Sequence, residues 1–489
     1  MASITQAPSL ESLLSKVGSG EKRQHLDANA GVPMNRVALE AMMKASLLPN
    51  PSNNLTVPGQ LSEQCFLAAS KSIARHLLGE DGLHINTSGA TESIVCLLRT
   101  LHVASFPILV TEGAHPAVWA ACKEYKVSMK VCPATKEGVT KALSSVYSAI
   151  FVTHVISLTG SIVSLEEIAT AFRKKQSNTP IVVDATQSVG KIASIGKALE
   201  PADIIIYSSH KFGGPKATGG IVVRNSGMAA LDSWHPLIPG SQQRGLRGGT
   251  LPVPNVVGTA VALQEAYVGI EKALATTKES VMSIIKAIHV SPLPRITIIA
   301  PREDTPGSQW TWNTVLLSVP VCSKALAMRL SETGYDVGVG TACQTNEPSP
   351  PSLSSHPPLP LPPGKGKRKR GSGEKEEGKG KEEGKGKEDR DLEVPKTSFQ
   401  LRISLHSGQS ISGDALMKAI SEAYQEVLRR IHGRLEKMVW PEESSSEQGE
   451  QGVHGGSPQK ENATSMEGEV DTLVRLVARR VGGGSSFLD

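Results

Sequence analysis

Ile204-Ile205-Ile206-Tyr207-Ser208-Ser209-His210-Lys211-Phe212-Gly213-Gly214-Pro215 is the stretch on which the reading of the fold turns. An unbroken apolar run suits a strand buried on both faces, and this one closes on a polar cluster and a glycine-rich turn. A lysine so placed stands just beyond the strand's carboxyl end, where open α/β sheets gather their ligands. Upstream, Ile181 to Asp184 repeats the design, with an apolar run ending in a carboxylate. Pro107 to Val110, Ala149 to Thr153 and Gly220 to Arg224 read as further strands, each flanked by a helix-like stretch or a Gly/Ser turn. From about Leu26 to Ala275 such strands alternate with helical patterns, which predicts an α/β fold with a mostly parallel sheet covered by helices.

The pattern continues from Lys278 to Gly340 with a helix, strands near Ile296 to Ile299 and Thr314 to Ser318, and a helix over Ser323 to Thr333, the start of a smaller α/β unit. The order then breaks. Glu347 to Pro363 is Pro- and Ser-rich, and Gly364 to Asp391 is a Gly/Lys/Glu repeat; neither holds enough apolar surface to offset chain entropy. We expect a disordered insertion over 347–396, in which Lys367 to Arg370 is a solvated charge run rather than a nuclear-localisation patch. An ordered pattern resumes with Phe399 to Leu405 and the helix-like Gly413 to Lys437. A short helix is expected over Glu469 to Val481. The expected division is a flexible N-terminus over 1–24, a large domain over 25–275 with residues 25–35 near the small domain, a small domain over 276–436 interrupted by 347–396, and a low-complexity tail over 437–489.

Length and composition bound the function. A chain of 489 residues has room for two packed domains and a deep site. Aromatics at 4% against 39% hydrophobic residues favour an aliphatic sheet-and-helix core over a β-sandwich. The net charge of +5, from 52 basic and 47 acidic residues, is too small for this length to imply nucleic-acid binding. The cysteines (Cys65, Cys96, Cys122, Cys132, Cys322 and Cys343) form neither a CxxC pair nor a dense disulfide framework, so a reducing compartment is expected and a metal site is not. With no apolar run of membrane-spanning length and no secretory signal, we expect a soluble protein with no membrane partner, cytoplasmic or imported into a mitochondrion or plastid.

Four strings in chain order carry the chemistry: Thr87-Ser-Gly-Ala-Thr-Glu-Ser93, Val183-Asp-Ala-Thr-Gln-Ser188, Ser208-Ser-His-Lys211 and Gln243-Arg-Gly-Leu-Arg-Gly-Gly-Thr250. Singly, each has a bland reading as a helix cap, a strand-end carboxylate or a surface lysine. Together they match the demands of pyridoxal 5'-phosphate (PLP), which brings a phosphate dianion, a pyridine nitrogen that must stay protonated and an aldehyde that needs an amine. Thr87 to Thr91 is a small-residue turn entering a helix over Glu92 to Leu101, suited to an anion. Asp184 would hold the pyridinium proton, and Lys211 would form the Schiff base.

These strings resemble the class V aminotransferase family of fold-type I PLP enzymes, and within it the cysteine desulfurases and selenocysteine lyases. The resemblance spans roughly Leu26 to Asn346 and resumes at Phe399 to about Val427, and it implies a large domain with a mostly parallel seven-stranded sheet plus a smaller α/β C-terminal domain. It further implies that Ser208, His210, Ala90 and Thr91 contact the phosphate. Thr250 would reach the phosphate of a neighbouring subunit, hence a homodimer. His115 would stack on the pyridine ring and carry protons, Asp184 would pair with the ring nitrogen, and Gln187 would sit beside the phenolic oxygen. Arg402 would bind the substrate carboxylate, and Cys343, in Gly338-Val-Gly-Thr-Ala-Cys-Gln344, would accept sulfur as a persulfide. Ser157 stands where the family has an asparagine, a shorter side chain with a single donor. The implied reaction converts L-cysteine to L-alanine and passes sulfur to an acceptor, for example an iron–sulfur scaffold protein. Selenocysteine lyase, another class V enzyme, or a catalytically impaired scaffold on the same fold are the alternatives.

Overall fold

The computed structural model describes residues 15, 23–101, 106–291, 293, 296–301, 309–340 and 400–439. Cys343, the expected insertion over 347–396 and the expected helix over Glu469 to Val481 lie outside the described residues. The strands are β1 (Gln24–Leu26), β2 (Leu83–Thr87), β3 (Ile108–Thr111), β4 (Met129–Cys132), β5 (Ala149–Thr153), β6 (Ile181–Asp184), β7 (Ile204–Ser208), β8 (Gly219–Val223), β9 (Thr297–Ala300), β10 (Thr314–Ser318), β11 (Tyr335–Val339) and β12 (Gln400–Ser404).

A seven-stranded sheet runs in the order β2-β8-β7-β6-β5-β3-β4. From β7 to β4 every pairing is parallel, whereas β8 is antiparallel to both β7 and β2. The reversal has a chain-length cause: β7 and β8 are joined by a short loop, and a parallel return needs a crossover of a dozen or more residues. Alternate residues of the central strands face opposite cores. Ile150, Val152, Ile181, Val183 and Ile205 pack under the helices Val57–Leu78, Leu165–Arg173 and Val253–Tyr267. Phe151, Val182, Ile204 and Ile206 pack under Ala90–Leu101 and Pro116–Glu124. Burial on both faces is why these strands read as apolar runs.

The second sheet has the order β1-β11-β12-β10-β9 and packs against helices Ile270–His289, Ser323–Glu332 and Gly413–Val439. Its first strand comes from the start of the described chain, with β1 parallel to β11. The chain then crosses to the larger sheet, where the Val32 N–H donates to the His210 carbonyl. Helix Ile270–His289 runs unbroken through the expected division at 275–276, and helix Gly413–Val439 continues into the stretch expected to be tail. No helix of the described residues is long and apolar enough to cross a membrane.

One close approach positions the site. A Cβ on Gly219 would lie 2.6 Å from the Tyr207 carbonyl oxygen and 2.7 Å from the Gly89 Cα, so β8 must present glycine for the 87–91 turn to rest against it. Gly219→Ala is expected to destabilise the fold by roughly 1–3 kcal/mol through overpacking, read as a lowered urea midpoint at unchanged m-value.

Candidate active site

The carboxyl ends of β5, β6 and β7 open onto a cavity of about 390 Å³. Ala90, Thr91, His115, Ser157, Asp184, Gln187, Ser208, His210 and Lys211 all line it. The structure thus gathers into one space residues drawn from five separate stretches of chain. That volume is in the range of small-molecule and cofactor sites.

The 87–91 turn is built by local hydrogen bonds. Thr87 Oγ1 accepts from the Gly89 N–H and pairs with Ser93 Oγ, and the Ser88 N–H donates to Glu92 Oε2 at 2.7 Å. The helix Ala90–Leu101 starts here, two residues before its expected beginning, and its first residues, Ala90, Thr91 and Glu92, line the cavity. Glu92 also pairs with Arg247, with Arg247 Nε 3.0 Å from Oε1. Burial pushes the Glu92 carboxyl up, yet hydrogen bonds from Arg247 and Ser88 outweigh it and hold the group below its ordinary range. This pair ties the 243–250 string to the turn. Gln243 adds a second tie by mimicking a strand neighbour, its side-chain amide accepting from the Asn86 N–H and donating to the Asn86 carbonyl.

Asp184 ends β6, buried to 5% exposure, and its Oδ1 accepts from the Thr186 N–H at 3.0 Å. Lys211 closes a single 3-10 turn after β7, and its Nζ donates to the backbone carbonyls of Asn29 at 2.6 Å and Ala30 at 2.9 Å. His210 Nδ1 pairs with Ser208 Oγ at 3.0 Å; burial, helped by the charges of Lys211 and Lys216, lowers its pKa to about 4, so the ring is neutral at pH 7. His115 caps the helix Pro116–Glu124 with its Nδ1 accepting from the Ala117 N–H. Its Nε2 is therefore the nitrogen left to carry a proton. The hydroxyls of Thr153 and Thr186, both on the cavity wall, are buried with no hydrogen-bond partner among the described residues. Orphaned buried hydroxyls cost free energy unless a polar ligand meets them.

Two expected site residues lie off the cavity wall. Thr250 is exposed and off the cavity wall. Arg402 on β12 is fully buried and off the wall, with Nη2 2.5 Å from Asp27 Oδ1 while Nε and Nη1 have no partner among the described residues. This pair needs glycine opposite, since a Cβ on Gly338 would sit 2.5 Å from Asp27 Oδ1. Cys343 lies outside the described residues. The sequence reading missed Asn29 and Lys191, both buried and both bonded to residues on the wall. The polar departure at Asn29 in an otherwise small-residue stretch, Ala28-Asn29-Ala30-Gly31, was the available signal.

A mostly parallel sheet of seven strands, a second sheet fed by the start of the chain and a cavity at the strand ends together define a fold-type I transferase architecture. Solved structures share it: a protein described as "NIFS-like protein" superposes with a TM-score of 0.62 at 21% identity, over 84% of this chain and 100% of that one. A NifS-like protein from Rickettsia africae gives a TM-score of 0.63 at 18% identity, over 83% of this chain and 99% of that one. The chain belongs to the class-V aminotransferase family, whose model, Aminotransferase class-V, matches residues 24–353. Members of this family are PLP enzymes. Among curated relatives, a cysteine desulfurase of Nostoc is 30% identical over 51% of this chain and 64% of its own length. Cysteine desulfurase IscS of Glaesserella parasuis is 33% identical over 50% and 62%, and a cysteine desulfurase of Rattus norvegicus is 27% identical over 66% and 73%. The chain thus spans less than two thirds of the length of the first two of these relatives.

Buried imidazoles make the protein acid-sensitive. Burial lowers His84 to about 3 and His154 to about 4, against an ordinary value near ~6.5. The unfolded chain binds these protons first, so their contribution is complete above pH ~6.5 and is lost as pH falls from there toward about 4. The urea midpoint is expected to drop between pH 7 and 5, and His84→Phe should reduce that drop.

Proposed function

We propose that this chain is a PLP-dependent cysteine desulfurase. The carrying observation is that Lys211, Asp184 and the 87–91 turn, distant in sequence, open onto the same cavity at the strand ends. The orphaned hydroxyls of Thr153 and Thr186 on that wall and the neutral, buried His210 support a polar ligand of this size.

In this reading Lys211 would hold the cofactor at its aldehyde, and Asp184 would stand by its pyridine nitrogen. Ala90, Thr91, Ser208 and His210 hold the phosphate, the first pair through the start of a helix. His115 would cover the ring, and Gln187 and Ser157 would stand by its phenolic oxygen. When bound, the cofactor supplies an electron sink for a carbanion at the substrate's α-carbon. Arg402 would bind the substrate carboxylate; its Nε and Nη1, without a partner among the described residues, are the donors such an anion would satisfy. The α-proton passes to Lys211 Nζ, and His115 Nε2 is placed to carry a proton. The Cys343 thiolate attacks the substrate sulfur, an S–S bond forms as the carbon–sulfur bond breaks, the β-carbon takes up a proton, and the α-carbon regains its own from Lys211 Nζ to leave alanine. The persulfide then passes to an acceptor protein.

The site is completed by a second copy in this proposal. Thr250 faces solvent rather than the cavity of its own chain, so a phosphate contact requires another subunit. The exposed side chains of Met43, Leu47, Leu55, Val57 and Leu61 supply an apolar face for such an association.

Incubation with PLP and L-cysteine is expected to give a yellow protein that releases alanine and carries one persulfide on Cys343, visible by mass. Lys211→Ala should abolish the colour and the turnover, and Cys343→Ser should stop sulfur transfer with the colour intact. A protein that stays colourless after PLP addition would instead be a scaffold on this fold. Alanine release from selenocysteine but not from cysteine would make it a selenocysteine lyase.

A further inference from the structure

Lys191 is a buried titratable group that the proposed chemistry leaves without a task. It follows Gln187 by four residues, is 6% exposed, and belongs to the turn-rich loop after β6. Its Nζ donates to Asn29 Oδ1 at 2.9 Å and to Gln187 Oε1. Those are its only acceptors among the described residues. A neutral amine has two N–H donors and a lone pair, whereas an ammonium has three donors. Two acceptors match the neutral form, and the third N–H of a cation would be left buried and unpaired. The charged groups facing the amine are both cations, Lys211 after β7 and Arg402 on β12. Burial first, and then these two charges, lower its pKa well below the ordinary value.

The consequence falls on Gln187. A side-chain amide can rotate by half a turn at little steric cost, exchanging its oxygen and nitrogen. Here the oxygen accepts from Lys191 while the nitrogen donates to the Asn29 carbonyl at 2.8 Å. The amide of Gln187, on the cavity wall, thus keeps its second N–H as the group it can offer to a ligand.

We propose that Lys191 is a positioning residue, held as a neutral amine, that locks the Gln187 amide so that a donor rather than an acceptor faces the bound cofactor's phenolic oxygen. The inference deepens the PLP reading above and rests on it for the identity of the ligand. It does not rest on it for the neutral amine.

Lys191→Met removes both donors at similar length, Lys191→Gln keeps a neutral two-donor head, and Lys191→Arg imposes a permanent charge. In the full chain, PLP affinity should fall about tenfold in the Met and Arg variants and stay within about threefold of wild type in the Gln variant. The pH midpoint of the visible band of the lysine-bound cofactor should move in the same order. Equal affinities and midpoints in the wild-type and Met proteins would overturn the lock. Thermal unfolding of the cofactor-free protein supplies the second readout. An amine neutral in the fold and protonated when unfolded adds stability as pH rises toward ~10.4, so the melting temperature of wild type should gain on that of Lys191→Met from pH 6 to 10. A constant difference would show a charged amine and sink the proposal. If wild type takes up no PLP, the cofactor reading fails while this melting comparison still decides the state of Lys191.

Discussion

The two sheets meet at an asparagine whose every hydrogen-bonding group is used. The Asn29 N–H donates to Ser404 Oγ on β12, and its carbonyl accepts from Gln187 and from Lys211. Its side-chain nitrogen donates to the Ser157 carbonyl and to Thr314 Oγ1, while Oδ1 accepts from Lys191 and from Asn313. In a buried setting of low dielectric such a network is stable only when complete, because any orphaned member pays its full desolvation cost. Asn29 therefore does more than join surfaces. It sets where β10 and β12 lie against the loop after β6, and it holds the amine of Lys211 at the cavity.

Burial also decides the charges around the cavity. Histidines that would be partly protonated in water are neutral here, as at His154 and His210. Two cations, Lys211 and Arg402, face the buried amine of Lys191, and Arg402 pairs with Asp27. Arg402 is the sharper case, since Asp27 engages only one of its nitrogens. A buried guanidinium with unused donors is costly by itself and favours the arrival of an anion. The cavity and its flank are thus polarised toward phosphate and carboxylate groups before any ligand is considered.

Much of the larger sheet was legible because its central strands are buried on both faces. β5, β6 and β7 match the apolar runs residue for residue, as does β10 in the second sheet. β3, β8 and β9 differ by one residue at their ends. The strands that escaped notice are the ones water or polar neighbours touch. β4 lies at an edge with Lys130 and Val131 exposed, β11 is half-exposed along most of its length, and β2 mixes His84, Asn86 and Thr87 with its apolar residues. An edge strand needs no apolar pattern, so hydropathy alone does not mark it.

By itself the sequence determined the strand-end placement of Asp184 and Lys211 and the small-residue turn at 87–91, because these depend on apolar runs and local turn chemistry. Only the tertiary structure decided that Asn29 and Lys191 belong with Gln187 and Lys211, that Arg402 is paired with Asp27, and that Glu92 is tied to Arg247. The physical reason is separation along the chain. Contacts between residues hundreds of positions apart are chosen by how two sheets and their helices pack, and no local pattern of hydropathy or turn residues encodes them.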